Sequence, residues 1–170
     1  MEEDYSSPPL SKVNVDQNGK QLILPSGYIF SPLDSEVVVH YLKKKILNQE
    51  LPAHIIATID VYSYDSPNQL PLSEFKYGLP NEWYFFTTRS PHNLFLTGNG
   101  GGWNELADET VVDNDQVIGY KRRLAFYFAE PLQEMKTDWF IHEYRVNPAI
   151  FSPDELLDDT IKEKVILFRL

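Results

Sequence analysis

Residues 117–128 alternate for twelve positions, and a run of that length constrains the fold more than any other feature of the chain. Tyr120, Arg122, Leu124, Phe126 and Phe128 fall on one side at period two, and Lys121, Arg123, Ala125 and Tyr127 on the other. That is the signature of a strand with two distinct faces. Two further runs share the aromatic, β-favouring composition: Trp83-Tyr84-Phe85-Phe86-Thr87-Thr88, and residues 138–146, where Trp139 and Ile141 oppose Phe140, Tyr144 and Val146. Residues 164–170 add a last short strand. Strands joined by Gly-, Pro- and Asn-containing connections favour antiparallel pairing, and the lack of regular strand–helix alternation argues against a parallel α/β fold. The expected class is mainly β with flanking helices, a twisted antiparallel sheet.

One helix stands out after a turn at residues 25–27. Val37, Val38, Tyr41 and Leu42 share a face at the helical period. Ser31 and Asp34 have capping-box spacing, with Pro32 at the first helical position. Lys43, Lys44 and Lys45 close the helix, where the helix dipole favours cations. They read as a solvated helix end ahead of a nuclear signal or nucleic-acid patch. A short helical turn is expected around residues 52–57.

A chain of 170 residues suits one domain. Residues 1–20, with Glu2, Glu3, Asp4, Ser6, Ser7, Pro8 and Pro9, read as a flexible N-terminal tail, and 21–170 as the folded domain. No targeting segment and no membrane span is expected, so no membrane partner. A net charge of −10 argues against a simple polyanion binder. Without cysteine the chain has neither disulfides nor thiol chemistry, which fits a reducing compartment.

Chemical motifs are sparse. Gly98-Asn99-Gly100-Gly101-Gly102 runs into Trp103-Asn104 rather than Lys-Ser/Thr, so a loop or hairpin turn is favoured over a phosphate cradle. His142-Glu143 is half of a zinc-protease motif, but position 146 is Val. The acidic pairs Asp108-Glu109 and Asp158-Asp159 read as solvated loops. The expectation is no enzyme, no catalytic residue, no metal and no cofactor. Lys121-Arg122-Arg123 is the remaining signal: Lys121 and Arg123 project together and Arg122 opposite, either as a phosphate-facing strip of a DNA-binding sheet or as an ordinary exposed face.

Five segments in order resemble the plant NAC-domain transcription factor family. Leu24-Pro25-Ser26-Gly27-Tyr28-Ile29-Phe30-Ser31-Pro32-Leu33-Asp34-Ser35-Glu36 is similar to its L-P-P-G-F-R-F-x-P-T-D-E-E opening, and Val39-His40-Tyr41-Leu42-Lys43-Lys44-Lys45 to the helix that follows. Glu82-Trp83-Tyr84-Phe85-Phe86 resembles E-W-Y-F-F. Gly119-Tyr120-Lys121-Arg122-Arg123-Leu124-Ala125-Phe126-Tyr127 resembles G-x-K-K-A-L-V-F-Y. Lys136-Thr137-Asp138-Trp139-Phe140-Ile141-His142-Glu143-Tyr144-Arg145-Val146 resembles K-T-x-W-x-M-H-E-Y-R-L. Val165-Ile166-Leu167-Phe168-Arg169 is a weaker match to the closing V-L-C-R.

The resemblance implies a nuclear, DNA-binding transcription regulator that dimerises with NAC-type partners and carries its W-K-A-T-G-x-D-K edge strand into the major groove of double-stranded DNA. By resemblance Arg89, Trp103, Asn104, Lys121, Arg122 and Arg123 are the DNA-binding residues, and Leu24, Pro25, Ile29 and Glu36 the dimer interface. The chain departs from the family here. Trp103-Asn104-Glu105-Leu106-Ala107-Asp108-Glu109-Thr110 aligns with the groove-entering motif but carries −3 where the family carries +1, and Asp113 and Asp115 extend the acid run. The basic loop before it is shortened, with Arg89 remaining. Ile29 replaces the arginine that pairs across the family dimer with the residue at Glu36. The family's variable regulatory region would begin where this chain ends. The alternative is a NAC-fold interaction or dimerisation module with weakened or lost specific DNA binding.

Overall fold

The computed structural model describes residues 14–15, 21–22, 24, 27–87, 101–130, 133–155 and 164–169. Its centre is a six-stranded sheet in the order β3-β4-β8-β7-β6-β5. The strands are β3 (Ala57–Thr58), β4 (Glu82–Thr87), β5 (Gly101–Asp113), β6 (Gln116–Glu130), β7 (Gln133–Val146) and β8 (Lys164–Arg169). Every pairing is antiparallel except β3 with β4, which is parallel. The aromatic runs at residues 83, 117 and 138 are therefore strands, as their aromatic, β-favouring composition implies. A separate antiparallel pair, β1 (Asn14–Val15) with β2 (Gln21–Leu22), straddles residue 20, the expected boundary between tail and domain.

The β5–β6 hairpin turns on Asn114 and Asp115, both in the left-handed region at φ 49° and 60°. Asp113 pairs with Gln116, so the loop has two residues, the length whose turn twist matches that of the strands. Asn and Asp tolerate the left-handed conformation because their short side chains can bond locally. The register slips between Glu105 and Ala107, leaving Leu106 as the extra residue, and again between Val111 and Val112. Such bulges bend an edge strand and increase its twist.

One helical run crosses the sheet. It is α-helical over α1 (Asp34–Glu36), π-helical over Val37–Leu42 and α-helical again over α2 (Lys43–Ile46). Val37, Val38, Tyr41, Leu42 and Ile46 form its buried face. Where it meets β6 the sheet carries Gly119: an added Cβ would lie 2.5 Å from the Arg145 carbonyl oxygen and 3.2 Å from both Val38 methyls. Nothing larger fits that crossing. Asn48 (φ 54°) ends the run in the left-handed conformation, and Gln49 N–H donates back to Lys44 O at 2.8 Å.

The capping-box expectation fails. Leu33 occupies the N-cap with no side-chain capping bond, and Pro32 lies outside the helix. The Asp34 carboxylate is drawn to the sheet instead, accepting from Tyr144 Oη at 2.7 Å and Lys121 Nζ at 3.2 Å. The turn expected at residues 52–57 is also not helical: the chain runs extended into β3. Ala53, Ile55, Ile56 and Ala57 are all buried, and a run buried all round carries no period. Gly101 and Gly102 belong to β5 rather than a turn, and Asp108-Glu109 lies on the same strand rather than in a loop. Residues 98–100 and 158–159 lie outside the described residues.

The core gathers around Phe30, whose ring meets Tyr84, Tyr41 and Phe75 edge-on at 4.9, 5.1 and 5.9 Å between centroids. These contacts tie the segment before the helix to β4, and each aromatic pair adds about 0.5–1.5 kcal/mol beyond burial. Among the described residues no helix is long and apolar enough to cross a membrane.

Candidate nucleic-acid interface

Among the described residues β5 is the outer strand of the sheet and pairs with β6. An outer strand has backbone N–H and C=O groups on the side away from its neighbour. Along it, Glu105, Asp108, Glu109 and Asp113 are exposed. β6, one strand inward, carries Lys121, Arg122 and Arg123 directly opposite Glu109, Asp108 and Ala107.

Alternation sends the three cations to two faces, as expected from the strand period. On the helix side, Lys121 Nζ sits 3.2 Å from Asp34 Oδ2 and 5.6 Å from the centroid of the Tyr144 ring. Arg123 is exposed on this side and makes no ion pair with a described residue. On the opposite side, Arg122 is only 16% exposed and donates from Nη2 to Glu143 Oε1 at 2.9 Å. Glu143 is fully buried. Its other oxygen accepts from Tyr62 Oη at 2.6 Å, so both carboxylate oxygens are satisfied. Burial first, then the adjoining Glu143 charge, pushes the Tyr62 hydroxyl well above its usual range, so it stays a donor. The half-motif His142-Glu143 is thus split: Glu143 anchors an arginine, and among the described residues no group of three His, Asp or Glu side chains could hold a metal.

A fourth cation completes the surface. Arg145 on β7 lies opposite Tyr120 and stacks over its ring, 5.3 Å from the centroid. It reaches past β6 to the edge strand, where Nη2 donates to both Asp108 oxygens at 2.8 and 2.7 Å. Arg122 Nη1 is 3.9 Å from Glu105 Oε2. Two of the acids that distinguish the edge strand are therefore matched by arginines of the neighbouring strands rather than left as bare negative charge.

Of the expected DNA-binding residues, the structure brings Asn104, Lys121, Arg122 and Arg123 onto two adjacent strands at the sheet edge. Trp103 is on the same edge strand but is 5% exposed, its ring 5.1 Å from Phe126. Arg89 lies outside the described residues. Of the expected dimer residues, Ile29 is 57% exposed, Glu36 is half-buried, Leu24 packs on the core, and Pro25 lies outside the described residues. Arg145, Tyr120 and Tyr62 are absent from the sequence-derived site. The signal for Arg145 was its alternation with Glu143, readable only once the β6–β7 register is known.

Among the described residues, a six-stranded twisted sheet, nearly all antiparallel, with a helical run across it and a charged outer strand defines the class of domain. The chain matches the No apical meristem (NAM) protein family over residues 25–146. It is 41% identical to NAC transcription factor 25 of Arabidopsis thaliana over 136 residues, covering 76% of this chain and 41% of that protein. It is 39% identical to NAC transcription factor 56 of the same species over 131 residues, 72% of this chain and 35% of the relative. With NAC domain-containing protein 2 of Oryza sativa subsp. japonica it shares 39% over 137 residues, 76% of this chain and 42% of the relative. The chain belongs to the NAM, or NAC-domain, family, and spans about two fifths of the length of these relatives.

Proposed function

We infer that the chain is a DNA-binding transcription regulator of the NAC type, acting in the nucleus, and that it meets double-stranded DNA along the β5 edge. The observation that carries this reading is the pairing of an open thirteen-residue edge strand with a neighbour bearing three consecutive cations. A two-stranded ribbon fits the major groove, while cations one strand back reach the phosphates. Arg123 is the cation best exposed for that contact. Asn104 stands where the family places a groove-facing lysine, Lys121 and Arg122 lie further along the ribbon on opposite faces, and Trp103 holds the strand to Phe126 rather than touching bases. Arg89 enters by family resemblance.

Neutralisation of Glu105 and Asp108 by Arg122 and Arg145 softens the repulsion that the acid run implies, but it also occupies two cations. Wild-type binding should therefore be weak and steeply salt-dependent. Selection from a randomised duplex pool tests the reading. Enrichment of a defined sequence at low salt, lost when Arg123→Glu reverses the exposed charge, is the expected result. Recovery of an unselected pool at every salt concentration would contradict it.

Dimerisation with a second NAC-type chain belongs to the same reading. Ile29, exposed ahead of the helix as Leu33 is, cannot donate to the partner's carboxylate as the family arginine does. Ile29→Arg should restore one cross-subunit pair with Glu36 and tighten self-association by roughly 0.2–1 kcal/mol. Sedimentation equilibrium reads the change directly. A tight wild-type dimer indifferent to the substitution would show that the contact lies elsewhere.

A further inference from the structure

We propose that Arg145 and Tyr120 form a phosphate site beside the edge strand, which Asp108 occupies as an internal anion until nucleic acid displaces it. The inference rests on the DNA-binding reading and adds to it a cation that the family motif for groove entry does not contain. Arg145 starts on β7, two strands from the edge, yet its guanidinium is held over the Tyr120 ring and ends on the edge strand. Both bonds to Asp108 come from one nitrogen, Nη2, not from the two-nitrogen fork that makes an arginine–carboxylate pair strong. Both side chains keep solvent access, 35% for Arg145 and 42% for Asp108. Nη1 takes no part in the pair, so the guanidinium has donor capacity that Asp108 does not use. A phosphate oxygen offers the same charge and acceptor geometry as the carboxylate. When it enters, Asp108, already 42% exposed, swings to solvent. Arg122 differs: fixed on buried Glu143, it cannot be released in this way.

Asp108→Asn keeps the side chain's size and removes its charge, and Arg145→Gln keeps a chain long enough to lie on Tyr120. Retention on heparin, a polyanion without bases, is measured beside anisotropy titration of a short duplex, with thermal unfolding confirming that each variant is folded. Asp108→Asn is expected to elute later from heparin and to bind duplex about fivefold more tightly at low salt, with a salt slope steeper by about 0.9, the value of one added phosphate contact. In the Arg145→Gln background the same substitution should gain less than about twofold, the residue of lost repulsion alone. Equal gains in both backgrounds, or none in either, would overturn the proposal. An Arg145-dependent gain on heparin with no duplex bound would uphold the phosphate site and sink the DNA-binding reading. Duplex binding indifferent to both substitutions would do the reverse.

Discussion

Glu143→Ala is expected to cost about 3–5 kcal/mol of folding stability, because it leaves Arg122 charged and covered without its principal partner. The carboxylate is fully buried and takes both of its bonds from side chains brought from elsewhere in the chain, Arg122 on β6 and Tyr62 after β3. What remains for Arg122 is Glu105 at 3.9 Å, too far for a good hydrogen bond. Tyr62 also loses its acceptor, so the two deficits fall on one site. A melting point lower by roughly 10 °C follows for a chain of this size. Glu143→Gln, which keeps an acceptor for one partner, should cost clearly less. Calorimetry on the two variants checks the order. Equal, small losses would mean that Arg122 finds solvent easily and that the triad contributes little.

The largest functional effect is expected from replacing the edge-strand acids. Asn104→Lys with Glu105→Ala and Asp108→Thr restores a groove-facing cation and removes two carboxylates. It also frees Arg145 from Asp108, which the sequence by itself does not reveal. Affinity for duplex should rise at least about tenfold, or about 1.4 kcal/mol. The gain should appear for specific and non-specific duplexes alike, since phosphate attraction carries no base information. Titration across a salt series measures it. An unchanged affinity would place the contact surface away from β5.

The β6 strand was legible because apolar, aromatic and charged residues alternate along it, and β7 because its residues are aromatic and β-favouring, although Ile141 to Tyr144 are buried on both faces. β5 had no such pattern. From Asn104 to Thr110 no residue is buried, and an edge strand surrounded by solvent imposes no alternation on its sequence. Its one local signal was Asn114-Asp115 between Val112 and Val117, a two-residue hairpin turn. The apolar stripe marks the helix, but its capping pattern misleads, because Asp34 is used by Tyr144, 110 residues away, rather than by its own helix. The candidate site divides in the same way. Lys121, Arg122 and Arg123 were visible as a charged triplet with a defined facing. Their carboxylate partners depend on strand register and on residues such as Tyr62 that no local pattern connects to them. The acid run therefore looked like unrelieved negative charge, whereas the fold sets an arginine against two of its members.

Amide-resolved nuclear magnetic resonance titration with a duplex from the selected pool reports which backbone groups sense the nucleic acid. Shifts are expected to concentrate on β5, from Trp103 to Asp113, and on β6 around Lys121, Arg122 and Arg123, fading together as salt is raised. Duplex binding that leaves the β5 amides unmoved and perturbs another part of the surface would contradict DNA contact along β5.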